Sequence, residues 1–185
     1  MDIERHPGAR SADGFLAGLQ AGMLGTVWLL LWMGISAKFQ GRSFWTAENL
    51  MASVFYGGAA IRNGLAWHTV PGLALYLSVY CLLGALFAMA VRDRLPRLRL
   101  LLLSLIFALA WYYASFHGLW EALSPLIGRL HVERSTVLGH LIYGTFLSRF
   151  PAYLDAARPA VESQPQPQLQ PESEPAETPP PAAET

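Results

Sequence analysis

The chain has 185 residues, of which 53% are apolar and only 14% charged, against about 25% charged in an ordinary soluble domain. Its 13 basic and 13 acidic residues cancel to zero net charge, and Cys81 is the single cysteine. This balance excludes a soluble enzyme core, a nucleic-acid binder and a disulfide-stapled secreted domain.

Residues 1–13 (MDIERHPGARSAD) form a leader in which Asp2, Glu4 and Asp13 offset Arg5 and Arg10. Residues 14–37 follow without a formal charge. A secretory signal has only about 7–15 apolar residues behind a basic start. The longer run and balanced leader therefore read as an uncleaved anchor, with a cut near residues 34–36 as the competing reading. A bilayer core about 30 Å thick takes about 20 apolar residues in a helix, and residues 14–37, 69–91 and 99–120 all meet that length. Each is expected to be helical, because lipid offers no partner for open backbone. Runs such as LLLLSLIFALAW lack the alternation of a membrane β-barrel.

Between the first two spans, residues 49–61 (NLMASVFYGGAAI) are uncharged behind Thr46 and Glu48. They are too short to span. With Thr46 as cap and Glu48 in the first turn, they predict a helix over about 46–61 lying on or dipping into the outer surface, anchored by Trp45 and Tyr56. A plain structured loop is the alternative. The fourth apolar stretch, 135–148, lies between Glu133 and Arg134 on one side and Arg149 on the other. It reads as a short fourth span over 135–150, with the arginines snorkelling to the two interfaces. The alternative is an interfacial or re-entrant helix. From residue 159 the chain carries eight prolines and five glutamates with no Lys, Arg or aromatic residue. Residues 159–185 are accordingly expected to be a disordered tail.

The segment RDRLPRLR sets the orientation, with Arg92, Arg94, Arg97 and Arg99 close together. Placed inside by the positive-inside rule, it puts both termini in the cytoplasm and loops 38–68 and 121–134 outside. Thus the expected fold is all-α: an integral membrane four-helix bundle (residues 14–158) with an outer interfacial helix and a disordered Pro/Glu-rich C-terminal tail.

Gly14, Gly18, Gly22 and Gly25 give the first span a smooth face suited to close helix packing. That face serves either a neighbouring helix or a second copy of the chain. Cys81 reads as a small packing residue.

Four of the five histidines fall toward the outer half: His68, His117, His131 and His140, together with Glu121 and Glu133. His117 and Glu121 are one helical turn apart, and Tyr143 shares a face with His140. His117, Glu121, His140 and His131 are the candidate metal ligands, since imidazole and carboxylate suit divalent ions. A haem held by His140 with His117 or His68, and a proton-passing cluster, use the same residues. The plainer alternative makes them interfacial polar groups, with His140 hydrogen-bonded to a neighbouring helix. No nucleophile elbow, phosphate loop, dinucleotide fingerprint or cysteine pair is present, so no catalytic residue and no cofactor are expected.

The stretch SFHGLWEALSPLIGRLHVERSTVLGHLIYGTFL, with its acidic residue, short gap and G-H-L-I-Y in a short last span, resembles a group of small multi-pass bacterial inner-membrane proteins. So do YCLLGALFA and the Arg/Pro-rich inner loop, over about residues 60–150. Some of that group are associated with acid resistance. The resemblance implies His140, His117 and His68 as the positions of interest, and the chain as a whole reads as an accessory or stress-related inner-membrane component rather than an enzyme. The alternative is a membrane metalloprotein or proton-linked transporter. Expected partners are the lipid bilayer and a second copy or another membrane protein, with no nucleic acid.

Overall fold

The computed structural model describes residues 7–61, 64–91 and 95–162, and every regular element among them is helical. Helix α1 runs Pro7–Phe39, so residues 7–13 of the expected leader extend the first helix. Proline fits at its start because the missing N–H has no partner there in any case. Helix α2 is Thr46–Tyr56, followed by a 3-10 turn at Gly57–Ala60. Helix α3 is Thr69–Ala90. Helix α4, Arg97–Ala114, continues through a π-helical turn at Ser115–Leu119 into α5, Trp120–Leu123. Three short-to-medium helices complete the chain: α6 Pro125–Leu130, α7 Glu133–Leu147 and α8 Phe150–Glu162. Three stretches, Ala12–Phe39, Thr69–Ala90 and Arg97–Leu123, are long and apolar enough to cross a membrane.

Several expectations need correction. The helix expected over 46–61 stops at Tyr56, where Gly57 turns the chain with φ +55°, a conformation without penalty only for glycine. Within the chain α2 is largely covered. Ala47 through Ser53 are buried, because Gly72 of α3, having no side chain, lets the Glu48 backbone carbonyl rest against it. Thr46 is the first helical residue rather than the cap, and its hydroxyl donates to the Ser43 carbonyl at 2.6 Å. The connection expected over 121–134 contains α6. The fourth helix begins at Glu133 and ends at Leu147, since Pro151 has no N–H to return to the Leu147 carbonyl; the chain then restarts as α8. Residues 159–162 of the expected tail are helical. The rest of the tail, residues 1–6, and Arg92 and Arg94 of the basic loop lie outside the described residues.

Helices α1 and α3 run antiparallel in very close contact. A Cβ on Gly18 would stand 2.5 Å from the Gly84 carbonyl oxygen, and one on Gly22 2.8 Å from that of Tyr80. Gly25 faces Tyr143 and Phe146 of α7, whereas Gly14 has nothing within 4 Å. The glycine face is therefore filled from within the chain along most of its length. Helix α7 lies against both α1 and α4, and Gly144 approaches the Ser104 carbonyl, to 2.9 Å from a Cβ built there. Helix α8 folds back on α1, with Phe150 edge-on to Phe87 at 6.1 Å. Large apolar side chains remain outside, among them Met23, Val27, Leu86, Leu102 and Ile106. An apolar exterior of this kind is foreign to soluble monomers.

Alanine has the higher helix propensity at any interior position, so two glycines distinguish packing from propensity. Gly18→Ala is expected to lose about 1–3 kcal/mol through overpacking. Gly14→Ala is expected to be neutral or to gain up to about 1 kcal/mol. Unfolding midpoints in detergent check both, and equal effects would contradict the close crossing.

Candidate functional site: a cleft beside a buried tyrosine–histidine chain

At the heart of the molecule, α3 and α7 exchange polar side chains. His140 is 1% exposed. Its Nδ1 stands 2.7 Å from the Thr136 carbonyl, which can only accept, so Nδ1 carries the proton. Nε2 is then a lone pair and accepts the Tyr80 hydroxyl at 2.7 Å. The Tyr143 hydroxyl donates in turn to the Tyr80 carbonyl at 2.6 Å. Tyr112 and Phe116 close over the imidazole with ring centroids 5.2 and 5.8 Å away. Both nitrogens of His140 are thus spent inside the protein, an arrangement that holds a neutral ring in an apolar interior.

The other predicted site residues do not converge on it. His117 is exposed and stacks on Tyr113 at 5.6 Å. Glu121 is exposed, with its stem beside Gly128. The π-helical turn at Ser115–Leu119 replaces the regular α-turn on which their one-turn alignment was reckoned, and the two share no hydrogen bond or ion pair among the described residues. The His131 ring lies 6.5 Å from that of His117. His131 directs Nδ1 to the carbonyls of Ile127 and Gly128 at 3.0 and 3.1 Å. His68 is buried beside Trp67 and Tyr56. Among the described residues no three His, Cys, Asp or Glu side chains gather as a metal set. His117, Glu121, His131 and His140 are therefore near neighbours in part, not a formed ligand shell. A haem on His140 would first have to break the Tyr80 bond.

Most of the polar groups around them carry no signal in the sequence. Ser36 and Ser135 join α1 to α7 by a 2.6 Å hydroxyl pair, to which the Gln40 amide donates at 3.0 and 3.2 Å. Thr69 donates to Asn49 at 2.6 Å, and Asn49 donates to the Gly64 carbonyl at 3.0 Å. The Ser53 hydroxyl donates to the Leu50 carbonyl at 2.6 Å and so accepts from Ser124 at 2.8 Å. These bonds tie α2 to the 64–69 loop and to the start of α6. Glu48, read as a first-turn residue, is 2% exposed with Oε2 unpartnered. Loss of hydration pushes its carboxyl up to about 7, against a smaller opposing effect of its own backbone N–H. His68 Nε2, His131 Nε2, Trp120 Nε1 and the Tyr112 hydroxyl are likewise buried without partners among the described residues. All lie in the half of the molecule that holds the 39–68 and 115–134 connections.

A cleft opens in that same half, between the end of α1, α2, α6 and the start of α7, with about 450 Å³ of empty space partly open to solvent. Ser36, Gln40, Arg42, Thr46, His131 and Ser135 supply its polar wall, and Met33, Met51, Phe116 and Ile127 belong to its apolar one. No family model, curated protein or solved structure matches the chain.

Two outcomes follow from this geometry. Tyr80→Phe leaves His140 Nε2 buried and unpaired and is expected to cost about 1–3 kcal/mol, read as a lower melting midpoint; an unchanged midpoint would remove the bond from the core. Glu48 keeps its proton in the folded chain up to about 7, above its ordinary 4.5. Stability should therefore fall as pH rises from 4.5 to 7 and level off above, by on the order of 3 kcal/mol in all. Glu48→Gln is expected to flatten that slope, and a slope that survives the substitution belongs to another group.

Proposed function

We propose that this chain is a four-span integral protein of a bacterial inner membrane, with both termini cytoplasmic, acting as a non-enzymatic accessory or stress-related component through its outer half. The observation that carries the reading is the depth-matched pairing of α7 with α1. Ser135 meets Ser36 at one end, and Tyr143 meets Gly25 farther down, so the short helix runs beside the apolar length of α1. Arg134 and Arg149 flank it, positioned to reach the two interfaces. The exposed apolar side chains of α1, α3 and α4 supply the lipid-facing surface, making the bilayer the first partner. Filling of Gly18, Gly22 and Gly25 from within the chain leaves little of that face for a second copy.

The stress-related role rests on the resemblance to inner-membrane proteins associated with acid resistance. It gains support from Glu48, whose burial makes the outer half more stable toward acid. The same residue supports a second, proton-linked reading, because a buried carboxyl near 7 exchanges its proton within the physiological range. The metal alternative has no comparable support.

Reporter fusions at residue 162 are expected to read out in the cytoplasm, like fusions in the 92–96 loop. A periplasmic result at 162 with a cytoplasmic one at the loop would mean that α7 does not cross.

A further inference from the structure

The connection between α2 and α3 carries apolar side chains left uncovered among the described residues. Leu65 is 66% exposed, Trp67 70% and Val70 63%, and Phe55 at the end of α2 is 56% exposed. Tyr56 joins them, edge-on to Trp67 with ring centroids 4.8 Å apart. The backbone beneath is tied inward. Gly64 donates to the Ser43 hydroxyl at 3.0 Å, and its carbonyl accepts from the Asn49 amide at 3.0 Å. Ala66 donates to the Thr69 hydroxyl at 3.0 Å, and the Ala66 and Trp67 carbonyls accept from the N–H groups of Thr69 and Val70. A segment whose polar backbone is spent on the protein can lie against lipid, where open backbone cannot. Trp45, expected as an anchor beside Tyr56, is instead half-buried and edge-on to Phe44 at 5.3 Å.

We propose that these side chains form a shoulder resting in the outer leaflet, at the boundary between head groups and acyl chains. Phe55, Leu65 and Val70 meet the acyl chains, and Tyr56 and Trp67 lie at head-group level. What covers the patch follows from its continuity with α3. Val70, Ala74, Ser78, Leu82 and Leu86 are all exposed at four-residue spacing, so they form one slanting row along the helix. In the membrane reading that row faces lipid, and Val70 is its outermost member. Trp67 is joined to it by the turn that opens α3. The patch is thus the outer end of the lipid-facing surface, at the depth where tryptophan and tyrosine gather. Rings with an apolar body and one polar N–H or O–H suit that depth. Left in water, the same side chains would make an apolar patch of the kind that soluble surfaces avoid. The inference rests on the membrane reading and gives a lipid contact to a connection that alternation of spans alone would leave in water.

Spin labels read depth directly, because oxygen concentrates among acyl chains and a nickel chelate stays in water. The test uses the full chain in phosphatidylcholine nanodiscs, with Cys81→Ala and a single label introduced by Phe55→Cys or Leu65→Cys. Leu86→Cys supplies the acyl-chain reference, and Glu121→Cys, at an exposed charged position, the aqueous one. Labels at positions 55 and 65 should be relaxed more by oxygen than by the nickel chelate, as at 86 and the reverse of 121. Nickel-dominated relaxation at 55 and 65 would leave the patch open to water and to a soluble partner, and would overturn the assignment. Weak relaxation by both reagents would overturn it too, since a second copy or another protein would then cover the patch. Should a labelled chain misfold, quenching by brominated phosphatidylcholine decides on the unlabelled protein. The quenched part of the tryptophan emission should fall on Trp67→Phe, and an unchanged quenched part removes Trp67 from the leaflet. Oxygen-dominated relaxation at 86 with nickel-dominated relaxation at 55 and 65 refutes the shoulder alone. Nickel-dominated relaxation at 86 refutes the membrane reading itself.

Discussion

A histidine buried among tyrosines in an apolar interior has to be neutral, with both nitrogens satisfied, or the fold around it fails. His140 meets that demand through Thr136 on its own helix and Tyr80 on α3. The bond within α7 sets the tautomer and the Tyr80 bond, which crosses to α3, fixes the rotation of α7; that rotation turns Gly139 toward Leu29 and Trp32 of α1 and Gly144 toward Ser104 of α4. A small residue on each remaining side lets α7 sit between its neighbours with the polar face inward. The Tyr143 hydroxyl on the Tyr80 carbonyl then locks α3 at the level where its Gly84 meets Gly18. Helix rotation, close crossing and burial of polar groups are one constraint expressed at three places.

The same constraint explains what was legible in the sequence. Three long uncharged runs gave their helices away by length and composition alone, and the small-residue spacing of Gly18 and Gly22 marked a close crossing without naming the partner. Helix α7 was harder to read because its hydropathy is diluted by Ser135, Thr136, His140 and Tyr143, all of them buried. Hydropathy counts a residue as if it faced lipid and cannot see a hydrogen bond to another helix. Glu48 misled for a related reason. An acid in a first turn ordinarily faces water, and only the contact of Gly72, 24 residues away, with its backbone turns it inward. The pairings Ser36–Ser135, Ser53–Ser124 and Asn49–Thr69 join residues 99, 71 and 20 positions apart, separations that carry no local pattern.

The candidate site was legible as a neighbourhood and not as a set. Counting spans placed the histidines in one half, and the structure does bring the His131, His117, Phe116 and Tyr112 rings close together. The metal reading depended on helical geometry persisting through residue 121. The π-helical turn interrupts it, and turns of this kind are seldom announced by composition even though they gather at functional sites. Arg42, by contrast, carried no signal beyond its charge.

The two ends of the molecule solve opposite problems. Near Gly18, Gly84 and Phe150 the helices touch backbone to backbone and the side chains between them are apolar, which favours tight packing and leaves no room for a guest. Toward α2, α5 and α6 the helices are short, the elements meet through hydroxyls and amides, and buried polar atoms such as Glu48 Oε2, His68 Nε2, Trp120 Nε1 and His131 Nε2 lack a partner among the described residues. Each such atom costs about 1–3 kcal/mol when it is left unpaired, and an ordered water can supply the missing partner. A fold that satisfies His140 completely while leaving His131, His68 and Glu48 open has kept its unspent hydrogen-bonding capacity in one place, around the cleft and the connections that frame it.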